Sequence, residues 1–316
     1  MPRMIDNAGD TRATLDEVVE RLGDGFDPRE EDSTLAAAAL LGALGRNREF
    51  LGDLLVEQLR NRHREGYDAS AYGPQAIILS PMRGNCFLRA NIWPSEDEAC
   101  FAASGAKSFV YGIPHDHNFD FLTVGYFGPG YRSDYYEYDY ARVAGYRGEP
   151  VELRFIERSA LHEGRLLHYR AHVDIHAQIP PEATSVSLNI MHVAAGQGWF
   201  DQYGFDLDSG QVTGVLSPTS TEVFLRCAVG LGGDTAIELA EHFGRHHPSD
   251  RLRLASYEAR AGLTRDLSER DALWREAELS GSLLLASEAA RRRGELRPWE
   301  GITALPLPAR RSPPGE

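Results

Sequence analysis

Lysine is almost missing from this chain: Lys107 is the only one among 33 basic residues. A pyridoxal phosphate or other Schiff-base enzyme would depend on that residue, and its setting, "SGAKSF", offers no phosphate cradle. The same scarcity removes the GxxxxGK[ST] nucleotide loop. "GLGGD" at Gly230–Asp234 is glycine-rich, but it opens into a helix with no strand before it, which argues against a dinucleotide site. The arginine bias itself points to a GC-rich bacterial genome. Cysteine is also scarce. Cys86, Cys100 and Cys227 are scattered and odd in number, so neither a disulfide framework nor a zinc spacing is present. No apolar run approaches the ~20 residues that cross a bilayer. The first thirty residues lack an apolar core and a small-residue cleavage site, which predicts a cytoplasmic chain with no membrane association. Positive charge is in deficit too. The net charge of −14 repels phosphate backbones and argues against a nucleic-acid partner.

What is present falls into zones of different periodicity. Residues 1–72 read as a helical segment. "STLAAAALLGALGRNREFLGDLLVEQLRN" opens on a cap at Ser33 or Thr34 and breaks at Gly45. Residues 73–217 carry short β-branched and aromatic runs. "QAIILS", "CFLRANIW", "SFVYGI", "HNFDFLTVGYF", "SDYYEYDY", "VELRFIER", "LLHYRAHVDIHAQI" and "TSVSLNIMH" are strand candidates. Turns fall at Gly128–Gly130, Pro180–Pro181 and Asp208–Gly210. Many short strands predict an antiparallel sandwich or small barrel. Residues 218–300 return to helical spacing in "DTAIELAEHFGRHH", "SDRLRLASYEARAG", "LSERDALWREAELS" and "SGSLLLASEAARRR", with a helix start at Ser268. Paired helices at this spacing suggest a HEAT-like segment. The Pro-rich tail, 301–316, reads as disordered.

The chemistry concentrates in "YGIPHDHNFDFLTVGYFGPGY", Tyr111–Tyr131. Read as a strand beginning at Pro114, alternation puts His115, His117, Phe119 and Phe121 on one face and Asp116, Asn118 and Asp120 on the other. Two imidazoles about 7 Å apart along a strand can reach one metal ion. The alternative is a pair of surface histidines, and the phenylalanines on the same face favour metal. A third imidazole is available from "HVDIHAQIPPEATSVSLNIMH". His176, before the Pro-Pro turn, is the leading choice, and His168 and His172 share its parity. His162 and His192 read as rim or solvent residues; His63, His242, His246 and His247 lie in helical zones. Imidazole suits iron, zinc, copper or nickel. Glu137, in "DYYEYDY", is either a fourth, carboxylate ligand or a cross-strand surface charge.

These residues resemble the cupin superfamily. Its first motif, HxH followed shortly by Glu and then Gly, reads here "HDHNFDFLTVG"; its second, a later His before a strand, reads "DIHAQIPPEATSVSLNI". Within it the chain is most similar to the three-histidine thiol dioxygenases of the cysteine dioxygenase type, across roughly residues 75–195. The resemblance implies Fe(II) held by His115, His117 and His176 without a carboxylate. It also implies a substrate carboxylate on an arginine before the HxH strand, for which Arg89 in "FLRANIW" is the match; a surface arginine is the other reading of Arg89. Two features depart from the pattern. Leu122 stands where that family has a cysteine crosslinked to tyrosine, and no tyrosine follows the third histidine at the family spacing, although Tyr203 lies downstream.

The expectation is therefore an α+β chain: an antiparallel cupin-like β-barrel, or jelly roll, with N-terminal helices and a C-terminal helical segment. Its expected activity is that of a mononuclear non-heme Fe(II) oxygenase, with O₂ as co-substrate and a small polar substrate such as an amino acid. Arg89, Tyr135 and Glu137 are the expected substrate contacts. The alternatives are a divalent-metal isomerase or hydrolase, and a non-enzymatic ligand-binding barrel whose helices dock a partner or form a homodimer.

Overall fold

The computed structural model describes residues 2–23, 25–65 and 75–296, without side chains at 58 and 61–65. The tail expected to be disordered, and the side chain of His63, lie outside the described residues. The chain divides into two compact units, Met1–Ser217 and Pro218–Glu316.

The first unit begins with β1 (Arg3–Ile5), α1 (Leu15–Arg21), α2 (Glu31–Gly45) and α3 (Phe50–Glu65). Next come β2 (Ala76–Ile78), β3 (Cys86–Trp93) and the short α4 (Ala99–Ser104). The remaining strands are β4 (Phe121–Phe127), β5 (Arg132–Glu137), β6 (Arg154–Ala160), β7 (Leu166–Tyr169), β8 (Asp174–Ile179), β9 (Ser185–His192), β10 (Tyr203–Asp206) and β11 (Gln211–Val215). They form a six-stranded sheet in the order β1-β7-β4-β9-β3-β2, a three-stranded sheet β6-β5-β8 and a hairpin β10-β11 turning at Asp208–Gly210. Their ladders are antiparallel.

Strand alternation builds the layers. On one face of the six-stranded sheet, Leu88, Leu122, Val124, Leu166, Leu188 and Ile190 pack against Val18, Leu41 and Leu44 of the N-terminal helices. The N-terminal helices α1 and α2 therefore pack in the same compact unit as the strands. On the opposite face Trp93, Phe121, Leu167, Tyr169 and Met191 meet Tyr131 and Tyr135, so an aromatic layer joins the two larger sheets. Gly125 is required where β4 passes the 161–162 turn, since a Cβ there would lie 2.0 Å from the His162 carbonyl oxygen.

Several local expectations shift. "SFVYGI" is not a strand: Ser108 and Phe109 end the 3₁₀ turn Ala106–Phe109, and Val110 leaves it in the left-handed region at φ 64°. The bend tucks Phe109 and Tyr111 into the aromatic layer. β4 starts at Phe121 rather than Pro114, because the chain before it spends its hydrogen bonds on other partners. "LLHYRAHVDIHAQI" is two strands separated by a turn at 170–173. α2 starts at Glu31, ahead of the expected cap, because Ser33 Oγ instead accepts from Asp27 N at 3.0 Å.

The second unit holds α5 (Ser220–Leu231), α6 (Asp234–His246), α7 (Asp250–Ala261), α8 (Leu267–Glu278) and α9 (Leu283–Leu296). α5 escaped the sequence reading although Thr219 and Glu222 form a capping box at its start. α8 is capped by Asp266, whose carboxylate accepts from the Ser268 and Glu269 amides, rather than by Ser268. α7 is the centre of the unit. Leu252 and Ala255 pack toward α5 and α6, while Tyr257 and Ala261 pack toward α8 and α9.

Leu122 is fully buried between the helices and the sheet. Leu122→Ala should destabilise the first unit by about 2–5 kcal/mol, read as a lowered urea midpoint with little change in metal binding.

Candidate metal centre

Ahead of β4, the chain around His115 bridges β8 and β10, and it bends at 118–119 before β4 begins. His115 and His176 exchange both backbone hydrogen bonds: His115 N donates to His176 O at 3.1 Å, and His176 N to His115 O at 3.0 Å. Phe205 N bonds the Pro114 carbonyl at 2.9 Å on the other side. Further along, His172 N donates to His117 O at 2.9 Å. A mutually bonded antiparallel pair directs both side chains to the same face, so His115 and His176 face one way and His117, two residues on, joins them.

Among the described residues, His115, His117 and His176 form the group of histidine, cysteine and acidic side chains able to hold one ion, with ligand atoms all within 4.8 Å of one another. His117 Nε2 lies 3.0 Å from His176 Nε2, which lies 3.2 Å from His115 Nε2. His115 Nδ1 donates to the Ile113 carbonyl at 2.7 Å, so its Nε2 presents a lone pair. A proton on His176 Nε2 can satisfy only one of its two imidazole neighbours. Nitrogens each about 2.1 Å from one ion lie roughly 3.0–3.4 Å apart, so the spacing suits a shared cation better than a set of ring protons. Burial lowers all three imidazole pKa values, and for His117 the neighbouring His115, His176 and Arg89 charges add to the effect. The rings are therefore neutral, as metal ligation requires.

Asp116, between the two histidines, faces the other way and is fully buried. Its Oδ1 accepts from Tyr203 N at 2.6 Å and its Oδ2 from the Tyr138 hydroxyl at 2.5 Å. Burial pushes its carboxyl up to about 7, against the lowering by those two donors. Asp116 thus pins the HxH segment to the β10 strand and the end of β5. Around the imidazoles the wall is aromatic. The His117 ring sits 5.0 Å from Phe119 and 4.9 Å from Phe121, keeping the predicted face although the segment is not a regular strand. Tyr169 lies 4.9 Å from the His176 ring, and its hydroxyl is 3.0 Å from that of Tyr135. Burial raises both phenol pKa values, so both remain protonated donors.

No known family and no curated protein matches the chain. Solved structures overlap it only loosely. Salicylate 1,2-dioxygenase from Pseudaminobacter salicylatoxidans is 12% identical with a TM-score of 0.26, over 46% of this chain and 33% of its own. Hydroquinone 1,2-dioxygenase from Sphingomonas sp. TTNP3 is 10% identical with a TM-score of 0.24, over 40% and 70%. A DMSP lyase from Ruegeria pomeroyi DSS-3 is 11% identical with a TM-score of 0.23, over 62% and 78%. The chain spans about a third of the length of the salicylate enzyme.

The other expected site residues are dispersed differently. Tyr135 stands opposite His176 in the β5–β8 register, with the two rings stacked at 6.5 Å. Arg89 pairs in register with Asn189 on the sheet face away from the helices, and its charge reaches both His117 and Tyr131. Glu137 is not brought to the imidazoles. It is ion-paired with Arg154 and with Arg170, the latter at 2.8 Å, and Arg170 also clamps Asp174 at 2.6 Å across the β7–β8 turn. His168 instead meets Asp120 at 3.2 Å, and His172, at φ 62°, packs on Tyr140 at 4.1 Å. Their shared parity with His176 is broken by the turn between β7 and β8. His162 is exposed and His192 half-buried.

Sequence reasoning missed Asp116, Tyr169 and Gln178. Gln178 had a usable signal: it is two residues beyond His176 on one strand, and so on the same face. Asp116→Ala should weaken binding of a single divalent ion by about 10–100-fold, and Asp116→Asn, which keeps the acceptor for Tyr203 N, by less; a Co(II) titration of each variant measures the difference.

Proposed function

We propose that the first unit is a mononuclear metal-dependent oxygenase of cupin-like architecture, acting on a small anionic substrate such as an amino acid or other carboxylate. The observation that carries this reading is the convergence of three neutral, buried imidazole nitrogens at 3.0 and 3.2 Å. A ferrous ion held by His115, His117 and His176 would supply open positions for O₂ and substrate and a path for electrons from the substrate to O₂. An all-neutral ligand set leaves the ion's charge uncompensated, which favours an anionic substrate.

The remaining roles fall to the chain. Phe119 and Phe121 shield one side of His117 and limit water at the reacting atoms. Arg89, whose charge is felt at His117, would anchor the substrate carboxylate. Tyr135 and Tyr169, hydroxyl to hydroxyl at 3.0 Å, would donate hydrogen bonds to the substrate and hold its orientation. Glu137, engaged with Arg154 and Arg170, takes no part.

Elemental analysis is the first test. Wild type should carry close to one equivalent of iron after anaerobic reconstitution, and His115→Ala, His117→Ala and His176→Ala should each lose it. Oxygen uptake should then appear with some member of a panel of amino acids, small carboxylates and thiols. Arg89→Met should keep the metal and abolish the substrate-dependent uptake. A protein that turns over such compounds equally well without O₂ would instead be using the ion as a Lewis acid.

A further inference from the structure

Gln178 sits two residues beyond His176 on β8, on the same face and nine-tenths buried or more, at 5% exposure. Its side-chain amide reaches the metal-facing nitrogen: Gln178 Nε2 is 3.3 Å from His176 Nε2. Its carbonyl oxygen, Oε1, is buried with no hydrogen-bond partner. A carboxamide oxygen in that position costs about 1–3 kcal/mol unless something satisfies it. The two ends of the amide are alike in shape, and rotation by half a turn about the terminal torsion exchanges them. After that exchange the oxygen stands where the nitrogen was, within about 3.0–3.4 Å of a ligating nitrogen, the separation of two donors on one ion.

We propose that Gln178 is the fourth protein ligand of the three-histidine centre, donating its amide oxygen. The inference rests on the three-histidine reading and goes beyond it. The donor set becomes three imidazole nitrogens and one neutral oxygen. Such a set carries no negative charge, so the whole double charge of the ion is left for an anionic substrate to neutralise. An oxygen donor also shifts preference toward harder ions such as Fe(II) or Mn(II) and away from soft Cu(I). Glu137, one candidate for such a fourth ligand, is engaged with Arg154 and Arg170, and Gln178 stands on the same strand as His176 with its amide 3.3 Å from His176 Nε2.

Co(II) alone is the probe. Its affinity and visible absorption spectrum would be measured for the full chain in wild type, Gln178→Ala, Gln178→Glu and His176→Ala. The expected result is a 10–100-fold loss of Co(II) affinity in Gln178→Ala with altered ligand-field bands, and binding tighter than wild type in Gln178→Glu. Tighter binding is a gain that misfolding cannot imitate. Wild-type affinity and spectrum in Gln178→Ala, with Co(II) lost in His176→Ala, would overturn the fourth ligand and leave the three-histidine centre standing. Weaker binding in Gln178→Glu than in wild type would also overturn it. No Co(II) binding by wild type would overturn both.

Discussion

The reciprocal backbone bridge between His115 and His176 is the constraint on which the site depends. It joins residues 61 positions apart in the chain. Once that pair exchanges its two hydrogen bonds, the side-chain directions follow: the two imidazoles lie on one face at a ring separation of 4.6 Å, and His117 joins them from the next residue of that face. Everything that touches this bridge acts on the site through the backbone. Asp116 holds the segment from behind through Tyr203 and Tyr138, and Arg170 fixes the turn that aims β8 at it.

The interior thus sorts its polar and apolar parts by face. Leucine, isoleucine and valine from the six-stranded sheet face the helices, and their burial, worth roughly 1.5–3 kcal/mol for each large side chain, supplies much of the cohesion of the first unit. The other face of the same sheet is aromatic and polar, with Trp93 donating from its indole nitrogen to Ser187 at 3.0 Å. Leu122 shows what the separation means. It occupies the stretch where thiol dioxygenases have a crosslinked cysteine, yet it is buried on the helix side. A cysteine at that residue would have no access to the imidazoles.

Much of the fold was legible because β9 alternates apolar and polar residues, β4 is a short β-branched and aromatic run, and α6, α7 and α9 have ordinary helical spacing. β3 matched its expected run, Cys86–Trp93, end to end. What the pattern hid was non-local. "SFVYGI" has β-forming residues, but its phenylalanine and tyrosine are buried by a 3₁₀ bend that tertiary packing imposes. The segment carrying His115 and His117 shares a face as alternation predicts, but its partners are β8 and β10 rather than β4's neighbours, and no local signal names them. The three histidines were legible from spacing. Glu137 was left open between ligand and cross-strand charge; its pair with Arg154 bears out the second reading, and its pair with Arg170 depends on where a distant turn brings that arginine. Gln178 was overlooked because an amide does not announce metal chemistry as a carboxylate does.

The near-absence of lysine has a consequence in alkali. The clamp that sets the β7–β8 turn is built from Arg170 and Arg154 on Asp174 and Glu137, and a neighbouring pair joins Arg158 to Asp134 at 2.5 Å. An ammonium in these places would begin to lose its proton near pH 10, whereas a guanidinium stays charged beyond pH 12. The phenols that line the interior are likewise held above their ordinary range by burial. The strand that carries His176 is therefore fastened by groups whose charge does not change through the range in which a lysine-based clamp would let go.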